Sequence, residues 1–402
     1  MKVPKIRFPE FIESYTQYRL GDIYQARKEE GNADLPMLSV SIHTGISDGE
    51  LDENELGKRI KRSEDKSLYK RVHQGDLVFN MMRAWQGAIG TAKIDGMVSP
   101  AYIVAKPDNK IDPLYMNYYM RTNHMIRKMN NQSYGIMEFR KRLYWNSFVN
   151  IRCNIPALSE QNKIAELLSA IDTVIEKQKE MVVVWENRKK SIMQKLFSQE
   201  VRFKADDGNN FPEWKEKKLD DCGRFYTGVG FGEKYQGHKD LDIDVYKVSD
   251  MNIIGNEKYM TLANNTIDES IVEQMKTKAI TSRCLIFAKV GVAIYGERKR
   301  ITTKTFLIDN NMMAFEPYSC LNIEYLHSWA CSIKFSRYAQ VGALPSYNSS
   351  DIGIIKIQLP CLDEQKKIAS CIAALDDVIN SYKTTLVVWK ELKKGLMQQM
   401  FI

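Results

Sequence analysis

At 402 residues the chain is long enough for two or three domains, each with a core of its own. Its 44% hydrophobic and 27% charged residues describe an ordinary globular protein, and a formal net charge of +8 permits a polyanionic partner such as DNA. Seven cysteines without a C-x-x-C pair and five scattered histidines argue against a zinc or redox site, and the lack of an 18-residue apolar run or an apolar leader predicts a cytoplasmic chain with reduced thiols and no membrane span.

A first block, residues 1–157, opens with RFPEF (7–11) and YRLGDI (18–23). Short β-rich runs follow at 35–42, 69–72, 76–81, 88–94 and 99–106, separated by Gly, Asn and Asp, which predicts a compact sheet with turns. Asp112-Pro113 and apolar residues three or four apart predict one helix over 112–131, with Arg127 and Lys128 at the negative end of its dipole. Two stretches suit nucleic acid. NMMRAWQGAIG (80–90) offers Asn80, Arg83, Trp85 and Gln86 among glycines, and SYGIMEFRKRLYWN (133–146) offers Tyr134, Arg140, Lys141 and Arg142 beside aromatics. Arg forks onto guanine, Asn or Gln onto adenine, and Lys or Arg neutralises phosphate. Trp85 as a core residue and the EFRKR run as a solvated face remain open alternatives, and GKRIKR (57–62) reads as solvated surface.

Residues 155–198 then recur at 359–402. At a constant offset of 204 the two copies share 20 of 44 positions without a gap, so the chain is duplicated. Ile164, Leu168, Ile171, Ile175, Gln178, Val182, Trp185, Lys189, Ile192 and Leu196 alternate spacings of four and three. Ile368, Ile372, Leu375, Ile379, Tyr382, Leu386, Trp389, Lys393, Leu396 and Met400 repeat that heptad seam, lysine included. Pro156 and Pro360 precede Ser159 and Asp363, expected N-caps of helices roughly 55 to 60 Å long. A stripe that long needs a partner, and the simplest one is the other copy, packed antiparallel.

The second block, residues 211–361, follows a polar linker at 201–210 and repeats the first block's order with different polar side chains. FPEW and KKLDDC match its opening, LIFAKVGVAIYGERKRI its basic turn, and DNNMMAF its SPAYIVA strand. Candidate DNA contacts are Lys289, Tyr295, Arg298, Lys299 and Arg300, with GERKR expected at a hairpin tip, then Ser346, Tyr347 and Asn348. The loop at 231–240 adds Lys234, Tyr235, His238 and Lys239 more weakly.

Catalytic signatures are missing. GVAIYGE (291–297) has P-loop glycine spacing but no lysine, no G-x-G-x-x-G follows a strand, and no Asn- or Asp-Pro-Pro-aromatic tetrapeptide occurs. Asp207 with Glu213 and Lys215 is a chance spacing in charged sequence rather than a nuclease centre.

The two P-x-L-x-E-Q-x-K-I-A segments (156–165 and 360–369), each opening a long helix, resemble the specificity subunit of type I restriction-modification enzymes, as do GDLVFNMMRAWQGAIG with VSPAYIV and LIFAKVGVAIY with IDNNMMAF. The resemblance implies an α+β fold: two similar mixed α/β target recognition domains (1–157 and 211–361) separated by two long antiparallel helices (158–200 and 362–402), with pseudo-two-fold symmetry. It implies a non-catalytic bacterial defence protein whose domains each read half of a bipartite asymmetric target in double-stranded DNA. The implied partners are two methyltransferase subunits, which bring S-adenosylmethionine and methylate adenine, and restriction/translocase subunits using ATP and Mg. The chain itself would bind no cofactor. A coiled-coil scaffold with two globular protein-binding domains is the alternative.

Overall fold

A computed structural model describes residues 4–32, 34–47, 49, 68–135, 141–340, 342 and 344–401. The chain forms two compact units, one of residues 1–179 with 383–402, the other of residues 180–382, so the division falls inside both long helices.

In the first unit, β1 (Thr16–Arg19) pairs antiparallel with β10 (Arg152–Ile155), the strand that feeds the long helix. Between them a sheet runs in the order β2 (Tyr24–Ala26), β9 (Tyr102–Pro107), β6 (Leu77–Asn80), β7 (Ile89–Thr91). Two small ladders join it: β3 (Val40–Ser41) with β4 (Gly45–Ile46), and β5 (Lys70–Val72) with β8 (Gly96–Val98). Strand β6 is apolar on both faces because both are covered. Leu77 and Phe79 face a core with the helices, and Val78 faces a second core with Val40, Val72, Val98 and Val104.

The helix expected over 112–131 is two helices, α1 (Pro113–Tyr119) and α2 (Asn123–Gln132). Thr122 separates them: its backbone is extended and its hydroxyl accepts from Met125 N, so it caps α2. Lys128 does not serve the helix end; its Nζ donates to the Arg152 carbonyl at 2.7 Å, tying α2 to β10. A single turn, α3 (Trp145–Phe148), precedes β10 and the 40-residue α4 (Leu158–Phe197).

The second unit repeats this frame. β11 (Lys215–Lys218) pairs antiparallel with β20 (Lys356–Leu359), as β1 does with β10. Its main sheet runs β12 (Gly223–Thr227), β19 (Met312–Pro317), β16 (Leu285–Ala288), β17 (Lys299–Thr302), β14 (Tyr259–Met260). A second sheet runs β15 (Asn265–Ile267), β13 (Ile243–Tyr246), β18 (Phe306–Ile308). Strand β16 is buried on both faces, as β6 is. Helices α5 (Glu269–Gln274), α6 (Ile323–Ser332), α7 (Ser349–Gly353) and the 39-residue α8 (Leu362–Met400) complete it.

Each long helix starts at the leucine of the repeated motif, so Ser159 and Asp363 lie inside the first turn rather than capping it. The following Glu-Gln pairs are buried. Glu160 accepts from the Arg7 guanidinium at 2.8 Å and from Tyr15 Oη at 3.1 Å, and Glu364 accepts from Arg202 at 2.9 Å and Trp214 Nε1 at 2.9 Å. Gln161 donates to the Lys110 and Pro156 carbonyls and accepts from Asp112 N; Gln365 does the same with Cys320, Pro360 and Asn322. These contacts bolt the start of each helix to the block before it.

The heptad seam is used within each unit, between opposite ends of the two helices, which therefore run antiparallel there. In the first unit Ile164 and Leu168 of α4 share a core with Met400 and Phe401, with Leu396 against it, and Ile171 and Ile175 are buried. In the second, Met193 and Leu196 share a core with Ile368 and Ile372, with Ile192 against it, and Ile379 is buried. Val182, Trp185, Leu375, Leu386 and Trp389 are half-buried. Both seam lysines find carboxylates: Lys393 bonds Asp172 in the first unit and Lys189 bonds Asp376 in the second.

Candidate nucleic-acid interface

The first unit's candidate residues lie where β6 ends. Asn80 Oδ1 accepts from Met82 N at 2.9 Å, starting a turn whose 3-10 segment, Ala84–Gln86, buries Ala84 and leaves Arg83 and Gln86 exposed. Gly87 closes it at φ +99°, a left-handed conformation that favours glycine, and a Cβ there would press on Ile126 Cδ1 at 3.0 Å.

The second stretch comes to meet this turn. Leu143 N donates to the Met81 carbonyl at 2.9 Å, and Tyr134 and Arg142 exchange two backbone hydrogen bonds. Lys141 Nζ stands 5.5 Å over the Trp85 ring and donates to Asn130 Oδ1, while Trp85 Nε1 donates to the Met82 carbonyl. Tyr134, 61% exposed, lies 5.1 Å from the Tyr144 ring. Asn80, Arg83, Trp85, Gln86, Tyr134, Lys141 and Arg142 thus form one surface; Arg140 and the GKRIKR run lie outside the described residues.

The second unit builds the same junction with other side chains. After β16, Tyr347 N donates to the Lys289 carbonyl as Leu143 N does to that of Met81, and Gly291 N donates to the Pro345 carbonyl at 2.8 Å. The 3-10 turn Val292–Gly296 buries Ile294 and exposes Tyr295, in the positions of Ala84 and Trp85. Glu297 closes this turn in the left-handed region that Gly87 occupies in the first unit. Its carboxylate accepts from Phe335 N, Ser336 N and Lys299 Nζ. Burial pushes that carboxyl up, and these donors outweigh it and hold it below the usual carboxylate range.

Residues 14–183 and 212–387, which carry these two equivalent turns, each match the type I restriction modification DNA specificity domain. The chain belongs to this family. The MjaVIII specificity subunit of a type I restriction enzyme from Methanocaldococcus jannaschii is 24% identical over 351 residues, 81% of this chain and 78% of its own length. The solved S subunit of a type I restriction-modification system from M. genitalium shares the fold at TM-score 0.58, with 12% identity, 100% coverage of this chain and 99% of that one. A chain from work on complex assembly and conformational transition of the type I R-M system gives TM-score 0.59, with 13% identity and 98% coverage of both.

Two candidates, Lys299 and Tyr347, are buried and not available as DNA contacts, and a third, Arg300, is half-buried. Lys299 is 2% exposed, its Nζ held by Glu297 and the Ile333 carbonyl over the Phe335 ring: GERKR covers the end of the loop joining the antiparallel β16 and β17 and the first two residues of β17, and its second cation points inward. Arg300 is half-buried on the Lys299 and Met251 carbonyls, and burial pushes its guanidinium pKa down. Tyr347 is buried with its hydroxyl on the Ala288 carbonyl, and burial raises its pKa. Asn348 is exposed but caps α7 by accepting from Asp351 N, and Ser346 is tied into bridges with Val290 and Gln340. Lys289, Tyr295 and Arg298 remain at the surface.

Sequence reasoning overlooked the exposed neighbours Met82, Val292, Tyr338 and Leu344, and Arg7 and Arg202, which lock the helix starts. Apolar residues carry no signal of exposure in sequence. The two arginines carried only a loose one, since each precedes a Phe-Pro-Glu-aromatic motif but at unequal spacing, Arg7 directly before Phe8 and Arg202 further ahead of Phe211. Among the described residues no group of His, Cys, Asp and Glu is placed to hold a metal, and no helix is long and apolar enough to cross a membrane.

Proposed function

We propose that this chain addresses a cytoplasmic type I restriction-modification complex to DNA, each unit reading one half of a bipartite asymmetric target through the turn after β6 or β16. The observation that carries this reading is the repetition of one junction with different side chains at its surface, exposed Arg83 and Gln86 with half-buried Trp85 in one unit, and exposed Tyr295 and Arg298 with half-buried Lys289 in the other. A shared frame with unlike polar groups suits two readers of unlike sequence. The chain is non-catalytic in this reading. Methyl transfer to adenine belongs to two methyltransferase subunits carrying S-adenosylmethionine, and translocation and cleavage to restriction subunits using ATP and Mg.

The long helices set the spacer and receive the methyltransferase subunits. Both are unbroken over 40 and 39 residues. Val183 and Val184 on one, and Val387 and Val388 at the repeated positions on the other, leave apolar surface exposed outside the seam. Adding one heptad to each helix lengthens the ruler by about 10 Å, or about three base pairs. Methylated-adenine mapping in cells carrying the lengthened, assembled complex should show a target whose halves are about three base pairs further apart; an unchanged spacer refutes the ruler.

A further inference from the structure

The second unit's surface carries one feature that its DNA-reading role does not by itself require. Beside the cations lies a cluster of exposed apolar side chains: Val292 is 82% exposed and Leu344 is 60% exposed. They belong together. Gly291 N bonds the Pro345 carbonyl, Val290 bridges Ser346, and a Cβ on Gly291 would stand 3.6 Å from Leu344 Cδ1, so Leu344 lies over the residue preceding Val292. Tyr295, on the same turn as Val292, is 62% exposed.

The cluster contributes nothing to the core, since water covers it. Its surroundings select the partner. Lys289 and Arg298 flank the turn, and Lys334 and Arg337 flank the segment whose Phe335 and Ser336 amides hold Glu297. The nearby carboxylates are already engaged: Glu297 by Lys299 and those amides, Asp351 by Asn348 N and Gln340 Nε2. An apolar contact ringed by cations complements a polyanion with an apolar feature. In double-stranded DNA the one such feature on a base edge is the thymine methyl group in the major groove.

We propose that Val292 and Leu344 read the 5-methyl group of thymine in the half-site bound by the second unit. This rests on the DNA-reading function proposed above and names what that site selects.

The test uses the full chain assembled with its methyltransferase partner and the target defined by methylated-adenine mapping. Each thymine of both half-sites is replaced in turn by 2′-deoxyuridine, which lacks only the methyl group, and affinity is measured by competition. For the native complex, one or two replacements in a single half-site should weaken binding about three- to tenfold, and those in the other half-site should not. Leu344→Ala and Val292→Ala complexes should bind thymine and deoxyuridine duplexes equally at that position. Deoxyuridine without effect throughout, no thymine in the half-site, or variants that keep the native deoxyuridine penalty each overturn the inference, as do variants that lose the methyltransferase and leave base selectivity intact. A native complex with no sequence-selective binding overturns the DNA-reading function as well, whereas selective binding with flat deoxyuridine results leaves that function standing.

Discussion

Lys393 Nζ, near the end of α8, lies 2.7 Å from Asp172 Oδ2, near the start of α4, and the same carboxylate accepts from Tyr118 Oη at 2.8 Å. An ammonium in a heptad seam is thereby given an acceptor supplied by the partner helix. Asp172→Ala strands Lys393 and Tyr118 and should lower stability in urea unfolding by about 1 kcal/mol, a small figure because the pair is partly exposed to screening water. Lys393→Met, which replaces the ammonium by an apolar chain of similar length, should change stability by less than about 1 kcal/mol. A larger loss for Lys393→Met than for Asp172→Ala would contradict this account of the pair.

The buried carboxylate Glu364 is a different case. It is fully buried, and removing it takes the paired carboxylate from the Arg202 guanidinium, which keeps the Phe211 and Pro212 carbonyls, and the acceptor from the Trp214 indole N–H. Glu364→Ala should cost roughly 3 to 5 kcal/mol, and Trp214 fluorescence should report early loss of structure in the second unit during denaturation. Unchanged stability would mean that the start of α8 is held by its apolar contacts alone.

His327 on α6 gives a pH dependence. Burial, aided by the positive charges of Lys258 and Lys189, pushes its pKa from the ordinary 6.5 down to about 4. The folded state then holds fewer protons than the unfolded state between those values, so the contribution of His327 is fully present above pH 6.5 and is lost as pH falls toward 4. The loss amounts to roughly 3 kcal/mol. His327→Gln should remove this component, and the stability difference between native protein and variant, followed by denaturation from pH 7.5 to 4, should shrink as pH falls.

Neighbouring cations in the basic run should separate cleanly. Arg298→Ala should relax specificity in one half-site at a cost of roughly 1 to 3 kcal/mol if the guanidinium forks onto a base, with folding unchanged; equal weakening on all sequences would mark a phosphate contact. Arg83→Ala should do the same to the other half-site. Lys299→Ala should instead destabilise the second unit by roughly 3 to 5 kcal/mol, because it leaves the half-buried Glu297 carboxylate without its ion pair.

Repetition made much of the architecture legible. The paired motifs and the heptad spacing are periodic features, and periodicity survives without knowledge of contacts. Burial of alternate positions accounts for Ile164, Leu168, Ile368 and Ile372. The break at Thr122 was less visible, because an apolar pattern runs through it and only its capping hydroxyl marks the boundary.

The candidate site was legible in part for a related reason. Arg83, Trp85, Tyr295 and Arg298 lie on or beside the turns that follow β6 and β16, but a run such as GERKR looks uniformly basic until strand pairing assigns sides. Pairing of Phe287 with Lys299 sends one lysine inward and leaves Arg298 outside.

By itself the sequence determined that the chain is a duplicated α+β protein with two long seam-bearing helices, because hydrophobic spacing and repeated motifs are local properties of the chain. Only the tertiary structure decided which charges are structural. It gave Asp172 and Asp376 to the seam lysines, and Glu160 and Glu364 to Arg7 and Arg202. Each of these choices depends on which distant carboxylate reaches a cation once both are withdrawn from water, and that is set by packing rather than by neighbours in sequence.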